Sequence, residues 1–233
     1  MYTASIVCNI GKAHWKIPAK WLYYHLLDGD IASNNCSWQW VSGSFSSKKY
    51  YCNQENINKY THTNQTGTFL DNTYEQIASI KVPDSLALTT SLKLNTIFPN
   101  TKSPKLDLSK PTLLYNSYNL DPTWRANENV NRVLLLEPSH FNANPVSEKV
   151  LDFVLALSKN IPGIQVFVGE VSEIVALYNE CNMEINELLI SKEHPAFEYY
   201  PGIKDQRDWM FPSVTGYSPS FFNFWKKCTQ SMR

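Results

Sequence analysis

A chain of 233 residues has room for one large domain or two small ones, and at that length folding buries about 70% of the unfolded surface without a disulfide or metal staple. Lys plus Arg and Asp plus Glu stand at 21 each, which excludes a protein held on nucleic acid by bulk charge and also an acidic tail, though not a local basic face. Hydrophobic residues at 43% and aromatics at 13% exclude a disordered chain. The 7 Trp, 13 Tyr and 11 Phe serve either as core and interface or as stacking surfaces for a planar ligand or base. Five cysteines (Cys8, Cys36, Cys52, Cys181, Cys228) form no CxxC pair, which argues against a zinc site and a disulfide framework and suits a reducing cytoplasm. The best apolar run, Val150 to Leu157, is far shorter than a membrane span and contains Asp152, and no signal peptide is read at the start.

The first region, residues 1 to about 60, is dense in aromatics. Met1 to Ile10 reads as a helix stopped by Gly11, with no capping residue before it, which suggests that the chain begins inside an element. Pro18 opens a second helix at a position where its missing N–H costs nothing, and Ala19, Leu22, Tyr23, Leu26 and Leu27 follow at helical spacing. Asp28-Gly29-Asp30 breaks it. A third helix is expected from Ser33 or Asn34 through Trp38 to Val41, and a short fourth from Asn53 to Tyr60. Residues 61 to about 130 carry Pro83, Pro99, Pro104, Pro111 and Pro122 among many Asn, Ser and Thr, and read as long loops and a linker.

Residues 131–233 change texture again. Arg132-Val-Leu-Leu-Leu-Glu-Pro138 has the pattern of a buried parallel strand. Asn144-Pro145 starts a helix carrying Val150, Leu151, Val154 and Leu155, and Pro162-Gly163 ends it. Ile164 to Val168 reads as a second strand, Val171 to Tyr178 as a helix and Ile185 to Ile190 as a third strand. This alternation predicts a small α/β domain with a parallel sheet and right-handed crossovers. It has neither GxGxxG nor GxxxxGK[ST], so no dinucleotide or nucleoside triphosphate site is signalled. Glu137, at the end of the first expected strand, lies where open sheets place ligands.

The stretch Leu26 to Trp40 (LLDGDIASNNCSWQW) carries the chemistry: two carboxylates flank a glycine, then come amides, then two Trp two apart. Asp and Asn can read the polar edge of a heteroaromatic ring, the carboxylate accepting from a ring N–H. The residues His14-Trp15, Leu27-Asp28-Gly29-Asp30, Ala32-Ser33-Asn34-Asn35, Ser37-Trp38-Gln39-Trp40 and Phe45-Ser46-Ser47-Lys48 resemble the flavin-binding helical domain of the DNA photolyase and cryptochrome family. The resemblance covers directly about the first quarter of the chain.

What the resemblance implies goes residue by residue. Asp30 matches the aspartate that hydrogen-bonds the flavin N–H edge, Asn34 the asparagine beside the reactive N5, and Asp28 the aspartate paired with an arginine near the flavin. Trp38 matches the tryptophan nearest the flavin and Trp15 the next in the electron relay, so Trp38, Trp15 and Asn34 are the catalytic candidates. Trp40 matches the tryptophan that stacks on a flipped pyrimidine dimer, Met1 aligns with a methionine at the lesion pocket, and Lys48 joins Lys12, Lys16, Lys20 and Lys49 as a candidate phosphate-contacting face. In that family, light-excited reduced FAD gives an electron to the dimer, the cyclobutane splits and the electron returns; the protein supplies position and electrostatics. Three features depart from the pattern, one being that the outermost tryptophan of the relay has no match in this sequence. The arginine partner of Asp28 and the upstream helices that hold the FAD phosphates would precede Met1, which leaves a buried Asp28 without its counter-charge. The second half also resembles a photolyase-like subgroup in which an α/β domain follows the helical one.

The expected architecture is therefore a helical FAD-binding photolyase-type segment (1–60), a Pro/Asn/Ser-rich linker (61–130) and a small α/β, Rossmann-like domain (131–233). The expected function is that of a fragment of a deoxyribodipyrimidine photolyase with FAD, a second antenna chromophore in the α/β part, and UV-damaged DNA as partner. It is expected to act as a cytoplasmic monomer with no metal and no membrane contact. The rivals are a cryptochrome-type photoreceptor without repair and a non-catalytic truncated remnant. Trp21, Tyr23 and Tyr24 are expected in the core, and Cys36 as a small packed residue.

Overall fold

The computed structural model describes every residue except Ser46, Asn182, Glu184 and Arg233, so the Ser46 position of the Phe45–Lys48 motif lies outside the described residues. Contacts group the chain into two compact units, Met1–Asn100 with Leu136–Asn160, and Thr101–Leu135 with Ile161–Arg233. These units do not follow the three texture regions of the sequence, because residues 136–160 join the first.

In the first unit, α1 (Tyr2–Ala4) runs on as a π-helix over Ser5–Ile10, where the Gly11 N–H reaches back five residues to the Ile6 carbonyl at 2.8 Å. Helix α2 (Lys16–His25) begins two residues before Pro18, which still falls in the first turn, where its missing donor is tolerated. Helix α3 (Ile31–Ser42) starts earlier than expected because Asp30 caps it, its Oδ1 accepting from the Ser33 N–H at 2.6 Å. Gly43, at φ 71°, closes α3 in the left-handed conformation that costs glycine nothing.

Asn53 caps α4 (Gln54–Thr61), and a Thr73/Gln76 capping box opens α5 (Tyr74–Ser79); a single turn, α6 (Asp84–Ala87), follows. Two apolar clusters hold these elements. One gathers Ala4, Cys8, Ala19, Trp38 and Val41, with Trp15 and Tyr50 packed against it. The other gathers Ile10, Cys52, Leu70 and Ile77. Tyr23 is buried as expected and Tyr24 is half-buried, but Trp21 stands out on the exposed side of α2, edge-on to His25 at 4.9 Å. Cys36 is exposed rather than packed. Apolar periodicity finds a helix face but does not say how wide a stripe its neighbours cover.

Residues 136–160 add α7 (Pro138–Ala143), which the sequence reading missed, and α8 (Glu148–Ser158). Helix α8 starts three residues after Pro145; just before it the Ser147 N–H donates to the Tyr24 carbonyl at 2.8 Å, and Thr96 and Val146 exchange two hydrogen bonds.

The second unit is built on a five-stranded sheet of order β3-β2-β1-β4-β5, with β1 (Thr112–Tyr115), β2 (Asn131–Leu136), β3 (Ile164–Val168), β4 (Leu189–Lys192) and β5 (Ile203–Asp205). Strand β1 runs parallel to β2 and β4, and β4 runs parallel to β5. The expected α/β class holds, with two corrections. The centre of the sheet, β1, lies inside the stretch read as linker. The third expected strand, Ile185 to Ile190, forms only from Leu189. Helix α9 (Val171–Asn179) follows β3, and α10 (Phe221–Ser231) ends the unit. The core gathers Leu114, Val133, Leu135, Phe167 and Ile174, and the hydroxyls of Thr112 and Tyr178 share a buried hydrogen bond. Gly202, at φ 85°, makes the turn into β5 so close to the Leu189 carbonyl that any Cβ would collide with it.

Strand β5 is tied to the loop after β1 through Asp205. Its carboxylate accepts from Arg125 Nε and Nη2 at 2.7 and 2.9 Å and from Trp124 Nε1 at 2.8 Å. Hydrogen bonds from Arg125, more than any other cause, hold the Asp205 carboxyl below its ordinary range. A depressed carboxyl adds stability above the unfolded-state carboxylate range and loses it as pH falls through the lowered value. Asp205→Asn is expected to cost about 1.5–3 kcal/mol near neutrality, and the gap to wild type should close as pH drops below about 4. Denaturant melts at both pH values check this, and a gap constant with pH would refute it.

Candidate functional site

Helix α3 presents one face to a cavity of about 380 Å³. Ser33, Asn34, Ser37, Trp38 and Val41 recur at three- and four-residue steps, and Asp30 begins the series as the cap. Leu22 and Leu26 supply an apolar wall at the end of α2, Asp28 lies on the turn between the helices, and Met1, Thr3 and Ala4 close the remaining side.

Two side chains fix the shape of this cavity. Trp38 is 3% exposed, and its Nε1–H donates to Asn34 Oδ1 at 3.2 Å. Asn34 Nδ2 donates to the Ala19 carbonyl at 2.9 Å, so the same amide links α3 to α2. One N–H of that amide remains for a ligand. The second oxygen of Asp30, Oδ2, has no hydrogen-bond partner among the described residues. Asp28 is exposed and makes no ion pair among the described residues. The expectation of a buried Asp28 is therefore corrected: its side chain is exposed at the cavity.

The structure thus brings Met1, Asp28, Asp30, Asn34 and Trp38 to one cavity. Trp15 does not line it but packs against the cluster that contains Trp38. Trp40 stands apart, 44% exposed, with its ring 5.6 Å from that of Tyr50. Lys48 is exposed away from the lining, and Lys12, Lys16, Lys20 and Lys49 are exposed as well. Sequence reasoning missed Thr3, Ser33 and Ser37 as lining residues. The signal for the two serines was present, since they sit one turn apart on the face that carries Asn34 and Trp38.

The chemistry of the lining fits a flavin ring. Asp28 and Asp30 supply acceptors for a ring N–H edge, Asn34 has an amide hydrogen beyond its bond to α2, and Leu22, Leu26 and Val41 give an apolar wall. No cluster of metal-ligating side chains occurs among the described residues, and the five cysteines are free. No helix among the described residues is long and apolar enough to cross a membrane.

The second unit has its own concave site. The switch point of the sheet lies between β1 and β4, not at the end of β2, so Glu137 is displaced as a candidate. A cavity of about 210 Å³ there is lined by Tyr118, Asn119, Lys192, His194 and Arg207 among others. The Tyr118 and His194 rings stack at 4.4 Å. The Nδ2 atoms of Asn116 and Asn119 are buried with no hydrogen-bond partner among the described residues.

Residues 1–86 match the family model of the FAD binding domain of DNA photolyase. No curated protein and no solved structure matches the chain.

Asp30 has a capping role and a cavity role, and two substitutions separate them. Asp30→Asn keeps a capping oxygen and removes the charge, so the melting temperature should hold while bound flavin falls. Asp30→Ala should lose the flavin and also about 1 kcal/mol of stability. Flavin absorbance and thermal melts of both variants check this, and full flavin content in Asp30→Asn would remove the carboxylate from the site.

Proposed function

We propose that this chain, whose residues 1–86 belong to the photolyase/cryptochrome family, is a light-driven, FAD-dependent deoxyribodipyrimidine photolyase acting on cyclobutane pyrimidine dimers. The observation that carries this reading is the convergence of Met1, Asp28, Asp30, Asn34 and Trp38 on one cavity. When bound, FAD supplies the light absorption and the transferable electron.

The residues around it have separable tasks. Asp30 accepts the ring N–H through the oxygen that its capping bond leaves over. Asn34 offers its remaining amide hydrogen to the ring while its other atoms hold Trp38 and α2 in place. Leu22, Leu26 and Val41 keep water from the ring, so the dipoles inside act at low dielectric. Trp38 and Trp15, packed in one apolar cluster, would relay an electron inward from an external reductant if the bound flavin were oxidised.

Repair is favoured over signalling by two residues that serve a lesion rather than a flavin. The exposed ring of Trp40 suits stacking by an extruded base, and Met1, 60% exposed, lies at the cavity rim. Lys48, exposed, suits a phosphate contact. UV-damaged DNA is the proposed partner of a monomer. A second, antenna chromophore is proposed for the cavity at the carboxyl ends of β1 and β4, where Tyr118 and His194 form an aromatic shelf. Free cysteines accord with a cytoplasmic location.

The test is direct. The chain is purified, its flavin spectrum recorded, and an oligothymidine carrying one cyclobutane dimer is irradiated with it in blue light. Light-dependent loss of the dimer is expected. Bound flavin without dimer loss would replace repair by photoreception, and a colourless protein would overturn the cofactor assignment. Trp40→Ala should keep the flavin spectrum and lower the affinity for dimer DNA about five- to a hundredfold, the equivalent of about 1–3 kcal/mol of stacking.

A further inference from the structure

The strongest surface feature outside these cavities lies at the end of the second unit. Tyr217 and Phe222 are 85% and 79% exposed, and Trp209, Phe221 and Trp225 are also largely open to solvent. Exposed rings at this density mark a contact surface. Helix α10 seats only one fully buried residue, Cys228, so most of its aromatic material faces outward.

Three observations identify the kind of partner. First, the patch is flat rather than aliphatic: from Lys204 to Arg233 there is no Leu and no Ile, and the exposed rings alternate with Ser, Thr, Asn and Gln. A helix that lies in a bilayer interface sets Trp, Phe and Leu against a polar face rich in Lys and Arg; α10 has no Leu or Ile and only Lys226 and Lys227 as cations. Second, the rings offer faces. Phe221 and Trp225 lie within 10° of parallel at 6.4 Å, and Arg207 stacks its guanidinium on Trp209 at 4.4 Å. A cavity of about 560 Å³ opens between Trp209, Phe211, Phe224 and Trp225. Third, the charge is local. Residues 206–231 carry Arg207, Lys226 and Lys227 against Asp208, in a chain whose formal net charge is zero; Arg207 pairs with Glu193, which leaves Lys226 and Lys227 as the cations of the surface. Rings with open faces beside cations are the elements of a single-strand binding surface, where bases stack and phosphates meet lysines.

We infer that the aromatic and basic surface of Trp209, Tyr217, Phe221, Phe222, Trp225 and Lys226 binds single-stranded DNA by base stacking, independently of any lesion. The choice of DNA over RNA rests on the photolyase reading of the first unit; the stacking itself does not. The site provides a second hold on nucleic acid, on a different unit from Trp40 and Lys48.

The experiment uses the full chain in the dark, with undamaged fluorescein-labelled oligodeoxythymidine and anisotropy as readout. Neither flavin nor a dimer takes part, so the failure of repair and the failure of this site are read separately. Saturable binding that weakens with salt is expected. Phe221→Ala/Phe222→Ala should lower the affinity at least tenfold, while Phe221→Tyr/Phe222→Tyr, which keeps the rings, should bind as wild type. Lys226→Gln/Lys227→Gln should reduce the salt slope by about 1.4. Far-UV circular dichroism confirms that α10 survives in each variant, and if the alanine pair unfolds, Trp225→Ala serves in its place. An abasic deoxyribose-phosphate oligomer binding as tightly as oligodeoxythymidine would overturn stacking. Equal affinity for oligouridine would overturn the commitment to DNA. Binding to phosphatidylserine vesicles with none to the oligonucleotide would make the surface a lipid contact instead.

Discussion

The side-chain amide of Asn34 joins the two helices on which the first unit's cavity depends. One of its hydrogens crosses to the Ala19 carbonyl on α2, and its oxygen receives the indole N–H of Trp38. Each bond is worth only about 1 kcal/mol net, but removing the amide would leave the buried indole N–H of Trp38 with nothing to pair with and cut the tie to α2. Ala19, fully buried, keeps the neighbouring surface of α2 small where the amide reaches across. The position of Trp38, the approach of α2 and the wall of the cavity are therefore one constraint rather than three. A site that must orient a planar ring needs such rigidity, because a loose wall leaves its donors aimed at nothing.

A second amide does the same work one layer away. Asn9, fully buried in the π-helical turn, donates to the carbonyls of Val41 and Tyr50 at 2.9 and 2.7 Å. It closes the end of α3 against the chain that follows, while Ser5 accepts from the Cys52 N–H at 3.0 Å. The wide turn and its polar side chains thus satisfy backbone groups that no helix or strand ladder reaches. Removal of Asn9 would cost more than its two bonds, since it would also loosen the anchor at the C-terminus of α3 and, with it, the seating of Val41 beside the cavity.

The legible parts of the sequence were those decided locally. A short helix was expected from Asn53, which caps α4, whereas Asp30 was read as a break and its cap on α3 was missed; the lining of the cavity repeats at helical spacing from Asp30 to Val41. The family resemblance brought Asp28, Asp30, Asn34 and Trp38 together before any coordinates did. What stayed hidden was decided at long range. Strand β1 is four residues long, buried throughout, and becomes the centre of the sheet only because β2 and β4 arrive from far along the chain. Nothing in Thr112–Tyr115 distinguishes it from an apolar loop anchor. The switch-point cavity was invisible for the same reason, since its position depends on strand order. Asp28 and Trp21 were misplaced because burial depends on which neighbour arrives, and the local pattern does not carry that.

The two tryptophans of Ser37-Trp-Gln-Trp40 show how a spacing becomes a division of labour. Two residues along an α-helix turn by about 200°, so side chains at i and i+2 cannot share a face. Once the Asn34 amide draws Trp38 into the cavity, Trp40 must point away from it, and it does so, half-open beside Tyr50. One ring is then buried, hydrogen-bonded and fixed, which suits the proposed electron relay; the other is partly exposed, which suits the proposed stacking surface. A single inserted residue between them would place both near the same face and abolish the distinction. The cofactor side and the substrate side of the proposed reaction are in this way set by the geometry of one helix, and the register that separates them is held by a single buried asparagine.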